Sequence, residues 1–402
     1  MRRVVITGMG VVSSLGLDTE STWAAALDGR CGIGPLRNLK MPGEPVQIGA
    51  EVDLPADTAI YPALGKRASF CERAGLLALE EATRQAGLNC LGVESSRVGV
   101  FQGASTSMLP PSEAYVMERN AGRRGDAAYA VNQSSSTVTD AIAHRLGATG
   151  TRSTIMNACS SSLLAMGQAW GQIAVGDLDL AAAGGAEGIC MTTFAGFSSL
   201  KAMDPRPCRP FNKDRAGLNL GEGAVQFIME PLEQALARKT EILAEVMGYG
   251  AAMDAHHPTA PHPEGIGAQL AMSMALRMAG MGPCEIDLIS AHATATPAND
   301  GAECAAIRRV FGSAADRLSI TATKSQFGHT LGAAGAFGAA MAVLSIRDSV
   351  VSPTLRLEER DPACDLDCTP LTPRERPIRA ALVNSFAFAG NNISLILKAW
   401  GG

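Results

Sequence analysis

Short apolar, β-branched runs alternate with helix-period segments from one end of the chain to the other. Arg3–Thr7 reads as a strand around a continuous Val4-Val5-Ile6 centre. Thr19–Leu27 reads as a helix, with Trp23 and Leu27 one turn apart and Thr19 or Ser21 placed to cap it. Further strands are predicted over Val98–Gln102, Thr154–Asn157, Leu178–Ala183 and Ala224–Met229, and helices over Thr137–Leu146 and Ser160–Val175. The pattern then repeats. Strands are expected at Ile242–Tyr249, Ile286–His292, Leu318–Thr323, Arg379–Asn384 and Ile393–Lys398. Helices are expected at Gly265–Ala279, Ala302–Val310 and Thr330–Arg347. This βαβα rhythm predicts a layered α/β fold.

The two halves look duplicated. In each, a strand runs into a polar turn and then a helix rich in Gly, Ala and Ser: Ile155–Cys159 into Ser160–Val175, and Ile320–His329 into Thr330–Ile346. A boundary near residue 240 would separate residues 1–240 from 241–402. No low-complexity linker separates them, so a shared interface is expected.

Composition narrows the options. At 402 residues the chain is long enough for two to three domains or two fused halves. With 47% hydrophobic and 18% charged residues it can bury a large core. Abundant Gly with 4% aromatics favours close backbone packing. The net charge of −5 disfavours general nucleic-acid binding. The ten cysteines are scattered without a CxxC pair, which reads as buried thiols in a reducing compartment. Arg2-Arg3 before an apolar stretch imitates a signal peptide, but Gly8, Gly10, Ser13, Ser14 and Gly16 interrupt it. Residues 330–346 carry no charge, yet their Ala/Gly content favours a buried helix over a membrane span. A cytosolic location is expected.

Three residues stand out chemically. Cys159 falls between a predicted strand and a predicted helix, where the helix dipole and backbone N–H groups favour a nucleophilic thiolate and can hold an oxyanion. His292 ends a predicted strand, and His329 opens the long helix of the second half. A neutral imidazole at a helix start is a good donor. Lys324, five residues before His329 in a buried-looking stretch, can orient a histidine or a carboxylate. Phe386 and Phe388 lie close together in an aromatic-poor chain, reading as a wall or gate with the Phe388 N–H open to an oxyanion. Other features read as decoys. Gly8-Met9-Gly10-Val11-Val12-Ser13 lacks the third glycine of a dinucleotide fingerprint. The prolines among His256, His257 and His262 argue against a metal cluster, so no metal is expected. His144 reads as structural or exposed, and Cys364 and Cys368 as incidental.

Several motifs together resemble the β-ketoacyl-acyl carrier protein synthases, condensing enzymes of fatty acid and type II polyketide assembly. They are Ala158-Cys159-Ser160-Ser161, Gly184-Gly185-Ala186-Glu187, Arg209-Pro210-Phe211-Asn212-Lys213-Asp214-Arg215, Gly221-Glu222-Gly223-Ala224, the two histidine motifs and the closing Phe loop. The resemblance implies a thiolase fold, with two similar α/β halves in a five-layered α-β-α-β-α core and a dimer with itself or with a chain-length-factor homologue. It implies an acyltransferase: Cys159 accepts an acyl group from an acyl carrier protein, His292 and His329 hold a malonyl thioester oxygen, Lys324 sets charge and orientation, and no cofactor or metal is needed. It also assigns Lys66, Arg67, Arg123, Arg124 and Lys201 to a carrier-protein rim, and Phe197, Thr259, Thr294 and Thr296 to the pantetheine or acyl tunnel. Against the family, Ala stands for Gly at 293, 387 and 389, Ala for Ser at 295, and Asn for Thr at 391, which suggests a stiffer gate and a specialised substrate. The Asp254–Pro261 loop further resembles aryl polyene ketosynthases. A non-catalytic chain-length-factor-like subunit and a thiolase are the alternatives. The first lacks the nucleophilic cysteine, and the second uses a second catalytic cysteine.

Overall fold

The computed structural model describes residues 1–55, 68–88, 92–126 and 134–401. Ten strands carry the architecture. In the first half they are β1 (Val4–Val12), β2 (Val98–Gly103), β3 (Arg152–Ile155), β4 (Leu180–Glu187) and β5 (Gly223–Pro231). In the second they are β6 (Ala244–Met253), β7 (Leu288–Ser290), β8 (Ser319–Thr321), β9 (Ala380–Ala387) and β10 (Asn391–Lys398). Their order is β8-β7-β9-β10-β6-β1-β5-β4-β2-β3. In the first half β2 pairs in parallel with β3 and β4, β4 runs antiparallel to β5, and β5 antiparallel to β1. Adding five to each label reproduces the pairing of the second half. The halves therefore share one topology, and β1 joins β6 antiparallel through Val4↔Val246, Val5↔Glu245 and Ile6↔Ala244.

Five helices complete the layers: α1 (Phe70–Gln85), α2 (Ser161–Val175), α3 (Ile266–Ala279), α4 (Asn299–Phe311) and α5 (Ala334–Asp348). The central pair, α2 and α5, packs against strands of both halves, and the Ser162 hydroxyl accepts the Ala336 N–H at 2.9 Å. Helix α1 covers the outer face of the first half, and α3 and α4 that of the second. This is the duplicated five-layer α/β architecture expected above. The one described stretch long and apolar enough to cross a membrane, Leu331–Asp348, is 89% buried within these layers.

The structure corrects several expectations. Strand β1 runs past its expected end at Thr7, through Gly8 and Gly10 to Val12. A Cβ at either position would come within 2.0 Å of the Ala82 or Ala78 carbonyl oxygen, so these glycines let α1 lie directly on the strand. The first helix spans Thr19–Leu27 as predicted, but its cap is Asp18, whose carboxylate accepts the Ser21 N–H at 2.8 Å. Cys364 and Cys368 are fully buried and share a core cluster with Cys304, so they are structural, not incidental.

Candidate active site

Strand β3 leads into a 3-10 turn, Ala158–Ser160, that opens directly into α2. Ala158 takes the left-handed conformation (φ +47°), which sets Cys159 at the head of the helix. The Ser161 hydroxyl braces the turn, accepting the Asn157 N–H at 2.8 Å and donating to the Ala158 carbonyl at 2.6 Å. From the second half, the Ser385 hydroxyl donates to the Cys159 carbonyl at 2.9 Å. Cys159 is only 5% exposed. Burial pushes its thiol up to about 12; the Lys324 ammonium pulls it down, and Glu187 adds to the rise. The helix terminus and Lys324 favour the anion expected from the sequence, and desolvation opposes it.

His292 lies just beyond β7. Its backbone N–H and that of Ala293 donate to the buried Glu303 carboxylate of α4 at 2.9 and 2.8 Å, and Asn384 donates to the same carboxylate at 3.1 Å. Lys324 opens a single helical turn, Lys324–Phe327, after β8. Its Nζ donates to the His292 carbonyl and lies 3.3 Å from His292 Nδ1. His329 follows, its N–H on the Asn219 carbonyl at 2.7 Å and its Nδ1 accepting the Leu331 N–H at 3.3 Å. The two imidazoles stand 5.6 Å apart and nearly perpendicular, at 82°.

Electrostatics fix their roles. Burial, reinforced by the Lys324 charge, drives both histidines well below the usual imidazole range, so both are neutral. Burial also lowers Lys324, to about 8, against the opposing pull of Glu303, so it remains an ammonium at neutral pH. With Nδ1 of each histidine already accepting a hydrogen bond, the ring proton resides on Nε2. The site thus holds two neutral N–H donors and a thiol.

These groups meet at a cavity of about 260 Å3. Cys159, His292, His329, Phe386 and Phe388 line it, as do the expected tunnel residues Phe197, Thr259, Thr294 and Thr296 and the expected rim residue Lys201. Phe197 stacks on Phe388 with centroids 5.5 Å apart, and Phe386 lies 5.7 Å from the His292 ring. Lys324 sits behind His292, away from the lining. Arg123 and Arg124 do not reach the cavity: Arg123 forms a two-pronged pair with Glu118, and the Arg124 carbonyl accepts from Arg119. Lys66 and Arg67 lie outside the described residues. Ala293 (φ +38°), Ala295 (+61°) and Ala389 (+61°) all hold left-handed backbone, whereas Ala387 is extended. Sequence reasoning gave no role to Glu303 or Asn384, and it quoted Glu187 only within a motif. The available signal was charge inside helical or strand runs that are otherwise apolar, since acidic residues are buried only when bonded.

Two family models match the chain: the N-terminal domain of beta-ketoacyl synthase over residues 1–235 and its C-terminal domain over residues 243–358. The chain belongs to the β-ketoacyl synthase family and is a condensing acyltransferase of the fatty acid/polyketide type. It is 39% identical to Nodulation protein E of Rhizobium meliloti (strain 1021), covering 99% of both chains. It is 38% identical to 3-oxoacyl-[acyl-carrier-protein] synthase 2 of Coxiella burnetii, covering 99% of this chain and 98% of the relative. Among solved structures it resembles the ishigamide ketosynthase/chain length factor, with TM-score 0.92, 35% identity and both chains covered in full. A type II polyketide synthase ketosynthase in complex with its acyl-carrier protein also superposes, with TM-score 0.92, 28% identity, and 99% and 100% of the two chains covered. Related ketosynthases thus form complexes with carrier proteins and chain length factors.

Proposed function

We propose that this enzyme extends an acyl chain held on Cys159 by decarboxylative Claisen condensation with a malonyl unit carried on an acyl carrier protein. The observation that carries this reading is the convergence of Cys159, His292 and His329 on one cavity, with Lys324 behind His292. In the first step the acyl carbon leaves the carrier thioester for the Cys159 sulfur, and the thiol proton goes to the departing pantetheine sulfur. The malonyl thioester then loses CO2, and its electron pair moves into an enolate whose oxygen takes hydrogen bonds from the Nε2–H groups of His292 and His329. The enolate carbon attacks the Cys159 thioester. The tetrahedral oxyanion is held by the Cys159 and Phe388 amides, where one such donor is worth about 2.7–4 kcal/mol. Collapse expels Cys159 as a thiolate near the Lys324 ammonium, and it regains a proton from solvent.

The substrate is a specialised chain, and the working form is a dimer with itself or with a chain-length-factor homologue. The left-handed alanines around the cavity and the similarity to the ishigamide ketosynthase/chain length factor support this. A scaffold role is disfavoured by the cavity-lining thiol, and a thiolase role by the lack of a second cysteine in the cavity lining among the described residues. Incubation with an acylated carrier protein should leave an acyl mass on the Cys159 peptide, and added malonyl carrier should discharge it as a β-ketoacyl product. An unmodified Cys159 would overturn the reading. Equal use of saturated and polyunsaturated chains would overturn the specialised substrate alone.

A further inference from the structure

The loop between β6 and α3 carries three of the chain's six histidines, and the chemistry above uses none of them. The same loop supplies Thr259, Ala260 and Pro261 to the cavity wall. Its Pro258 carbonyl accepts the Ala389 N–H at 2.7 Å, which fixes the residue next to Phe388.

Two of the histidines hold the loop in shape through acceptor nitrogens. His257 Nδ1 accepts the backbone N–H groups of Thr259 and Ala260, both at 3.1 Å. His262 Nδ1 accepts the Glu264 N–H at 3.2 Å. The His256 ring faces the His262 ring at 5.0 Å. A protonated imidazole has two donors and no acceptor. Protonation therefore deletes all three bonds and places like charges on the facing rings. Solvent can deliver the protons, because His256 and His257 are exposed and His262 is half-buried.

The surrounding charges do not substitute for those bonds. Asp254 uses one carboxylate oxygen for the His262 N–H at 3.0 Å and the other for Gly267 N–H and Asn392 Nδ2, also at 3.0 Å. Glu264 faces Arg309 of α4 at 3.7 Å, and that guanidinium also donates to the Glu264 carbonyl. A metal reading has no support: among the described residues no group of three or more ligand-type side chains is arranged for one.

We propose that His256, His257 and His262 form a pH-responsive clasp on the cavity wall, closed when the imidazoles are neutral and released when they take up protons. They act as positioning residues, through Pro258 and Ala389 on the Phe388 turn. The inference rests on the condensing-enzyme reading only for what the clasp gates, and the clasp itself is read without turnover.

The test is hydrogen exchange over residues 254–265, corrected for intrinsic rates, in the full-length protein and in a His257→Asn/His262→Asn variant. Asparagine Oδ1 can accept the same N–H groups and does not titrate. Wild-type protection should fall about tenfold on acidification from about pH 7.5 to 5.5, while the Asn variant stays protected at both. A His257→Ala/His262→Ala variant should be unprotected at both. In turnover, KM for the acylated carrier should rise on acidification in wild type and stay flat in the Asn variant. Equal wild-type protection at both pH values, or the same acid opening in the Asn variant, would overturn the clasp. Failure of Cys159 acylation would overturn the catalytic reading and leave the exchange result standing.

Discussion

The turn Ala158-Cys159-Ser160 in the first half has a counterpart in the second, Leu331-Gly332-Ala333. Each is a 3-10 turn that starts on a residue at φ +47° and runs into a 15-residue central helix. Cys159 and Gly332 thus occupy the same backbone position. One carries the thiol. The other has no room for a side chain, because a Cβ there would sit 2.7 Å from Glu187 Oε1 and 2.8 Å from the Ser105 amide nitrogen. The duplicated backbone therefore does not duplicate chemistry: the first half supplies the sulfur at its turn, and the second supplies imidazoles and an ammonium from its strand ends. The sheet edges differ as well. The second half covers its edge strand β8 with its own chain, through Ile320 N–H to the Asp367 carbonyl and Thr321 Oγ1 to the Ser352 carbonyl, both at 2.9 Å. The first-half edge β3 keeps Arg152 exposed and ends beside Met156, which is 52% exposed.

The division of labour can be broken one half at a time. Cys159→Ala should abolish acyl loading and lower turnover by about 10⁴-fold or more, as loss of a nucleophile does elsewhere. His329→Ala should still load acyl groups on Cys159 but lose condensation by about 10²–10³-fold, the range for a lost oxyanion donor. Rapid-quench measurement of loading and of CO2 release separates the two. If His329→Ala blocked loading as completely as Cys159→Ala, the halves would not act in sequence.

Lys324 extends the same contrast to pH. Its folded value of about 8 means that the ammonium bonded to His292 is lost above that pH. The neutral amine keeps N–H groups but gains a lone pair that can accept from Nδ1–H, so the ring proton is no longer held on Nε2 and the Nε2 donor is weakened. Condensation should therefore decline as pH rises through about 8, by about tenfold per unit at most for one titrating group, while loading declines less. Lys324→Arg should move this alkaline limb upward, because arginine does not deprotonate in that range. A condensation rate flat from pH 7 to 10 would refute the coupling.

Legibility in the sequence followed how local each cause is. The helices at 19–27 and 137–146 were predicted to the residue, because periodicity and turn residues set them. The Cys159 turn and both histidine motifs were legible as short strings. The long helix was placed at Thr330, but it starts at Ala334. The intervening turn depends on left-handed backbone at Leu331 that no propensity announces. The opposing pulls on the Cys159 thiol were half legible, because the helix terminus is a local feature, while burial beneath the second half is not. The role of Glu303 was not legible for the same reason: its charge inside a helical run was visible, but its partners, His292, Ala293 and Asn384, come from two other segments.

The β3 edge, exposed among the described residues, and the filled turn predict effects on assembly and stability. In the proposed dimer, if copies meet through the exposed β3 edge, Met156→Lys should place like charges at that contact and shift the mass read by light scattering toward the 41.6 kDa monomer. A substitution on the self-covered β8 side should leave the mass unchanged. Gly332→Ala should cost about 1–3 kcal/mol, because its Cβ overlaps Glu187 and a backbone nitrogen. No loss of unfolding free energy in denaturant would contradict the steric account of why the second turn carries no nucleophile.

The smallest effect comes from one of the two residues that open the matched turns, and the other serves as its contrast. Ala158 and Leu331 share φ +47°, so glycine should relieve about 1–2 kcal/mol of left-handed strain at either position. At Ala158 the gain is offset by about 0.4–1 kcal/mol of added freedom in the unfolded chain, which leaves a net gain of about 0–1.6 kcal/mol. At Leu331, 1% exposed and packed in a core cluster with Phe194 and Leu220, glycine also removes a buried side chain worth about 2–5 kcal/mol, so it should destabilise. Parallel denaturation of Ala158→Gly and Leu331→Gly therefore weighs packing against backbone strain at one shared geometry. Equal stabilisation by the two would mean that strain, not packing, dominates both turns.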